Sequence, residues 1–341
     1  MTKSEETTNV PPGFRMLAQR LASLSRRVIG TQETAVLLGL VAVGAVFSVA
    51  TPFFLTPFNL FQIARQMALL GVISIGMTFV IAAGEIDISV GSIYNLAAAV
   101  MGLLIAQGNV DPWQASLAAL AVGLVAGALN GSLSVLLGLP TLIVTLGTIS
   151  LFRGITIMLI GGLSIGNLPD SSFYRLGSDS LGPVPYMAII ALIIVGAAAW
   201  LFHSSVFAKQ LLAIGSNVEA AKRAGVRIKA RKIQVMAMNG LMCGIAAAMG
   251  IAYLRSVSPQ SGVGFELSAI AATVVGGTPL QGGVGTVWGT LVGIALIKVI
   301  QNGLILMGLP VAWQVASTGI MIIVAVAIQQ LVRRRVAAVS A

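Results

Sequence analysis

The stretch Tyr186-Met187-Ala188-Ile189-Ile190-Ala191-Leu192-Ile193-Ile194-Val195-Gly196-Ala197-Ala198-Ala199-Trp200-Leu201-Phe202 contains no charged or amide side chain. A helix that is apolar all round suits lipid rather than water, and a hydrocarbon core about 30 Å thick is crossed by roughly 20 such residues. Pro183-Val184-Pro185 precedes the stretch, and His203 follows it as an interfacial side chain. Working outward, nine further segments read the same way: 34–51, 60–83, 89–106, 114–137, 141–161, 233–254, 267–281, 284–304 and 311–332. Breakers such as Thr51-Pro52, Asp111-Pro112, Gly138-Leu139-Pro140 and Gly308-Leu309-Pro310 separate them. The expected fold is all-α, a polytopic transmembrane helix bundle of about ten spans. Its organisation is an N-terminal tail at 1–33, a membrane domain at 34–332 and a C-terminal tail at 333–341.

Composition agrees. The A, V, I, L, M, F, W, Y and C residues fill 57% of 341 positions and charged residues only 9%, against about 25% charged in a soluble domain. The net charge of +10 is explained by position. Of 20 Lys and Arg, four lie just before the first span (Arg15, Arg20, Arg26, Arg27), seven lie between Lys209 and Lys232, and three are Arg333, Arg334 and Arg335. Basic residues collect in cytoplasmic loops, so the charge marks topology and no nucleic-acid partner is expected. An even number of crossings puts both termini in the cytoplasm, together with 203–232. It leaves Gly162 to Pro185, with Asp170, Arg175 and Asp179, on the outer face. Met1 to Gly30 has no cleavable apolar core and reads as a cytoplasmic tail. Cys243, the single cysteine, sits in an apolar run as a packing residue. No metal-ligand cluster, phosphate loop or nucleophile motif occurs, so neither a metal site nor an enzyme is expected.

Glycines interrupt the spans. Small residues let membrane helices approach closely, but Gly276-Gly277-Thr278-Pro279 and Gly282-Gly283-Val284-Gly285 are too dense for packing alone. They predict a broken helix or re-entrant turn, tolerated only where protein or a water-filled cavity covers the backbone. Val80-Ile81 and Val90-Gly91-Ser92-Ile93-Tyr94 match Val274-Val275 and Val284-Gly285-Thr286-Val287-Trp288 at a constant offset of 194. Internal repeats with interrupted segments are a transporter pattern. Ten spans give both copies the same orientation, whereas an inverted repeat would reverse one.

Two motifs stand apart. In Gly84-Glu85-Ile86-Asp87-Ile88-Ser89-Val90-Gly91-Ser92, two carboxylates stand between apolar stretches. Charges at membrane depth are costly and by default functional or paired. The alternative is a tight cytoplasmic turn in which Asp87 accepts backbone N–H groups and caps the helix opened by Ser89. The second motif, Ala213-Ile214-Gly215-Ser216-Asn217-Val218-Glu219-Ala220-Ala221-Lys222-Arg223-Ala224-Gly225-Val226, reads as one short amphipathic helix ended by Gly225. It either lies solvated at the interface or docks into a partner's groove.

Glu219-Ala220-Ala221 with Gly225 resembles the EAA loop of ABC importer permeases, whose coupling helix inserts into an ATPase subunit. Residues 84–92 resemble the G-x-I-D-L-S-V-G-S signature of ribose-type sugar permeases, with Glu85 where glycine is usual and Ile88 for leucine. Two more blocks are similar to that family. They are Pro140-Thr141-Leu142-Ile143-Val144-Thr145-Leu146-Gly147-Thr148 with Phe152-Arg153-Gly154, and Gly264-Phe265-Glu266-Leu267-Ser268-Ala269-Ile270-Ala271-Ala272 with Val275-Gly276-Gly277-Thr278 and Gly282-Gly283-Val284-Gly285-Thr286. The resemblance spans roughly residues 55 to 330 and implies a multi-pass permease of the bacterial inner membrane for a monosaccharide or similar polyhydroxylated solute. It implies three partners: a cytoplasmic ATP-binding subunit holding the ATP and Mg, a periplasmic sugar-binding protein, and a second permease chain, identical or paralogous. No cofactor is expected on this chain. Gly215, Asn217, Glu219, Ala220, Ala221 and Gly225 would form the coupling loop; Glu85, Asp87, Ser89 and Gly91 the signature turn.

Polar residues within or near the spans are Arg65, Asn95, Asn130, Arg153, Asn239, Glu266, Lys298, Gln301, Asn302 and Gln314. Neutral hydroxyls need donors and acceptors together, so Asn95, Asn130, Asn239 and Asn302 are candidates for a solute path. Helix–helix hydrogen bonding is the alternative use of each. A competing function is an ion-coupled secondary transporter, for which Asp87 with Glu85 would be the titrating site.

Overall fold

The computed structural model of the chain describes residues 32–340. The tail before residue 32, with its four arginines, lies outside the described residues, as do the side chains of Arg333, Arg334 and Arg335. The helices are α1 (Gln32–Ala50), α2 (Pro57–Ala82), α3 (Val90–Ala106), α4 (Pro112–Leu137), α5 (Thr141–Ile160), α6 (Arg175–Ser178), α7 (Tyr186–Ser204), α8 (Val206–Ser216), α9 (Val218–Arg223), α10 (Ile228–Leu254), α11 (Phe265–Val275), α12 (Val287–Leu306) and α13 (Val311–Ser340). A 3-10 turn (Ser172–Tyr174) and a hairpin of β1 (Ser180–Leu181) with β2 (Val184–Pro185) complete the described elements.

Each of the ten expected segments holds one helix. Eight are long and apolar enough to cross a membrane: α1, α2, α4, α5, α7, α10, α12 and α13. The expected C-terminal tail continues α13, which runs helically to Ser340. The two shorter helices, α3 and α11, have 17 and 11 residues, about 25 and 16 Å at 1.5 Å per residue. Each adjoins non-helical backbone: 83–89 before α3 and 276–286 after α11. The glycine-dense runs therefore do break the helices. The chain turns at Ala83–Gly84 and stays non-helical from Glu85 to Ser89; Asp87 accepts the Ser89 N–H, as the tight-turn alternative requires, but it is wholly buried.

α2 is the central rod, and every residue from Ala68 to Ala82 is buried. α4 and α10 cross backbone to backbone, because Gly123 and Gly127 face Gly240 and Gly244. A Cβ on Gly127 would collide with the backbone of Met236 and Gly240. Without a hydrophobic drive between helices in lipid, such close approach is what holds a pair together. At the periphery, α1 and α13 show apolar side chains outward, with Val49 89% exposed. Trp113, Trp200, Trp288 and Trp313 are also exposed, whereas Tyr94 is buried edge-on against Phe265 at 5.1 Å.

The two largest connections sit at opposite ends of the bundle. At one end Ser216 Oγ donates to the Gly283 carbonyl (3.3 Å), the Gly283 N–H donates to Ala82 O (2.9 Å), and Lys232 pairs with Glu85 (2.8 Å). At the other, Ile165 and Val257 form an antiparallel bridge and Arg65 donates to Ser178 O at 2.6 Å. There Arg255 pairs with Asp170 and stacks over Tyr174, and the Ser178 hydroxyl, followed by Arg175, holds the exposed Asp179 carboxyl below its ordinary value.

The two sequence repeats become the same structural unit: helix, glycine-bearing non-helical connection, helix. Both connections reach the same end and touch through Gly283 and Ala82. The copies therefore keep one orientation rather than being inverted.

Candidate functional site

Asp87 lies at the bottom of the non-helical stretch before α3. Its Oδ1 accepts from Ser89 N (2.9 Å) and Ser89 Oγ (2.6 Å), and its Oδ2 from Asn239 Nδ2 (2.9 Å). Asn130 Nδ2 donates to Ser89 Oγ at 2.8 Å, and Ile88 N to Thr145 Oγ1 at 3.4 Å. Asp87 thus does bind the backbone N–H of Ser89, but its reach goes further and ties α3, α4 and α10 into one polar knot. Asn239 is eleven residues into α10, about 16 Å from its start. The knot therefore lies at depth, where a charge costs several kcal/mol. Among the described residues every hydrogen-bond donor to Asp87 is neutral. Gly91, one turn on, packs so closely on Gly262 and Glu266 that a Cβ would strike both.

Glu85 serves differently. Its carboxylate meets Lys232 on the first turns of α10, and both side chains are about one-fifth exposed, 22% and 19%. The non-helical segment before α3 and the helix leaving the basic loop are thereby joined by charge. The ion-coupled reading needs these carboxylates open to a passing cation; Asp87 is enclosed and Glu85 is already paired.

The 213–226 motif forms two helices, not the single one expected. α8 ends at Ser216, and Asn217 starts α9 with its side chain accepting from Ala220 N at 2.9 Å. Asn side chains favour this N-cap position, and their competition for backbone donors is what breaks the run. After Arg223 the chain reverses at Gly225, whose φ is +80°. Gly225 N donates to Lys222 O and Val226 N to Ala221 O, a left-handed helix stop. Glu219 and Ala220 are exposed; Ala221 is buried. Gly215 abuts the Ala82 carbonyl and the Gly283 N–H with no room for a Cβ. The motif therefore presents Glu219 outward while its inner side rests on both non-helical connections.

The four amides considered for a solute path are buried inside the chain, and the side-chain oxygens of Asn95, Asn130 and Asn239 have no hydrogen-bond partner among the described residues. Asn130 and Asn239 belong to the Asp87 knot. Asn302 and Asn59 donate to each other at 2.7 and 2.9 Å, and Asn95 donates to Pro259 O at 3.0 Å. In this chain all four make helix–helix or helix–loop bonds. Lys232 is the residue that sequence reasoning missed. It counted only as one loop cation, although an extra carboxylate at Glu85 and a cation at the exit of the same end are complementary.

The chain belongs to the family described as the permease component of the branched-chain amino acid transport system, matched over residues 59–326. It is a multi-pass membrane permease, and its family's work is transport. Among its relatives, the ribose import permease protein of Bacillus subtilis (strain 168) is 36% identical over 297 residues, covering 86% of this chain and 92% of the relative. The autoinducer 2 import system permease protein of Yersinia pseudotuberculosis serotype O:1b (strain IP 31758) is 35% identical over 271 residues, covering 80% and 76%. That of Yersinia pestis (strain Pestoides F) is 34% identical over the same length and shares.

Proposed function

We propose that the chain is the membrane-spanning subunit of an ATP-driven importer in the bacterial inner membrane, carrying a monosaccharide or similar small polyhydroxylated solute. The observation that carries this reading is the α8–α9 corner. Its outer side offers Glu219 on a capped, exposed helix, and its inner side, through Gly215, bears on the two non-helical connections. A force applied at Glu219 by a cytoplasmic ATP-binding subunit would reach Glu85, Asp87 and the 276–286 stretch through backbone contacts rather than flexible side chains. The names of the relatives support the solute class.

In this reading ATP and Mg sit on the partner, 203–232 faces the cytoplasm, and 162–185 faces a periplasmic binding protein that delivers the solute. A second permease chain, identical or paralogous, completes the pore. ATP closure of the partner dimer selects one accessibility of the pore by its differential contact with the α8–α9 corner. The test is affinity purification of the tagged permease from its native membrane, followed by calorimetric titration of the co-purifying binding protein with D-ribose and a panel of pentoses, hexoses and alditols. Binding of a member of the panel is the expected result. Co-purification without an ATPase, or a binding protein that takes only amino acids, overturns the proposal.

A further inference from the structure

Lys298 carries its ammonium group near the middle of a membrane helix. It lies on α12, eleven residues from Val287 and eight from Leu306. The nearer end is thus about 12 Å away along the axis, too far for a lysine stem to bring its charge to the interface by snorkelling. Among the described residues no carboxylate lies within ion-pair distance of it. Its Nζ donates to Gln301 Oε1 (3.0 Å), Gln301 Nε2 donates to Thr318 Oγ1 (3.1 Å), and Thr318 Oγ1 donates to the Gln314 carbonyl (3.1 Å). This chain of bonds lines a cavity of about 220 Å³ between the start of α11, α12 and α13, to which Ser268 and Gln314 also contribute.

Cavities elsewhere have a different character. Those beside Leu296 and Ile328, beside Phe79 and Met242, and beside Met67 and Leu192 are lined by apolar residues and glycine alone. Of the amides considered for a solute path, Asn95, Asn130 and Asn239 each keep a buried side-chain oxygen without a partner among the described residues, but none of the four lines this cavity. The Lys298 cavity instead offers ammonium and amide donors together with amide and hydroxyl acceptors, on three helices. Neutral hydroxyls need that mixture. Charges retained at this depth face a water-filled cavity or a functional site by default.

We propose that Lys298, Gln301, Gln314 and Thr318 form a station where the transported polyhydroxylated solute is held within the membrane. The proposal rests on the solute class proposed above. Lys298 donates to solute hydroxyl oxygens, and the two glutamines accept from and donate to neighbouring hydroxyls. The α11 start, which carries Gly264 and Ser268, is continuous through an eleven-residue helix with the 276–286 stretch. Movement of that stretch at the α8–α9 corner would therefore widen or close the station.

The test uses the complete importer, permease with its ATPase and binding protein, in proteoliposomes. The solutes are D-ribose and the same panel of pentoses, hexoses and alditols. Lys298→Met and Gln301→Leu should each lower uptake on the order of tenfold or more, the loss expected for a hydrogen bond to a charged or buried group. Gln314→Cys, in a chain whose buried Cys243 is replaced by Ala, should react with the charged thiol reagent methanethiosulfonate ethylsulfonate. The transported sugar should slow that reaction. Full uptake by both substitutions, or a Gln314→Cys variant that the charged reagent does not reach, overturns the station. If the unsubstituted importer takes up no member of the panel, the solute class itself fails, which is a separate result.

Discussion

Asn239 donates its side-chain amide to Asp87 Oδ2 over 2.9 Å, joining two residues 152 positions apart. This one bond fixes the non-helical stretch 83–89 against α10, and Asp87 in turn holds the N-cap residue of α3 through Ser89 N. Removing the acceptor should therefore matter more than removing its charge. Asp87→Ala leaves the Ser89 N–H, the Ser89 hydroxyl and the Asn239 amide without an acceptor and should lower stability by about 3 kcal/mol. Asp87→Asn keeps Oδ1 for Ser89, and rotation of the Asn239 amide presents its oxygen to the new NH₂. Thermal unfolding of the purified permease should show a large loss for the first and a small shift for the second.

The Glu85–Lys232 pair tests how the entering stretch is fastened. With both side chains about one-fifth exposed, its coupling energy should be near the upper end of the surface range, about 1 kcal/mol. Glu85→Lys should lower both thermal stability and uptake through like-charge repulsion, and Glu85→Lys combined with Lys232→Glu should restore them. A double-mutant cycle on unfolding midpoints measures this directly.

Gly215→Ala places a methyl against the backbone of Ala82 and Gly283. Backbone cannot rotate aside, so overpacking should cost about 1–3 kcal/mol and disturb uptake. Gly154→Ala, in α5 with open space around it, is the control and should be neutral or slightly stabilising. Equal behaviour of the two in unfolding and uptake assays would contradict the close contact.

Glu219 is exposed, so Glu219→Lys should leave the unfolding temperature of the permease unchanged while abolishing ATP-driven uptake. Gly225→Asp should do the same with a small stability loss, because its φ of +80° is unfavourable by about 1–2 kcal/mol for a residue with a Cβ. Uptake and unfolding, measured on the same preparations, separate coupling from folding.

Much of this architecture is legible locally. Unbroken apolar runs, proline breakers and charge placement locate every helix that spans, because hydropathy and turn chemistry are properties of neighbouring residues. Asn217 and Gly225 likewise announce a cap and a stop, although the break between α8 and α9 goes unread when both are folded into one amphipathic pattern. The shortness of α3 and α11 is harder to see, since apolar content does not distinguish a helical backbone from a non-helical one buried in protein. Partners are harder still. Asp87 with Asn239, Glu85 with Lys232, and Lys298 with Thr318 through Gln301 are meetings of distant segments. Sequence marks such residues as polar and out of place, and only the fold says whether each is enclosed or faces a cavity.

On the proposed function, motion at Glu219 drives solute through this bundle. The most direct measurement is uptake of radiolabelled sugar, chosen by the binding-protein titration, into proteoliposomes holding the permease, its ATPase and the binding protein. The expected result is accumulation that requires ATP, is insensitive to collapse of ion gradients, and disappears with Glu219→Lys while the permease stays folded. Accumulation that persists without ATP and follows an imposed proton or sodium gradient would contradict the account.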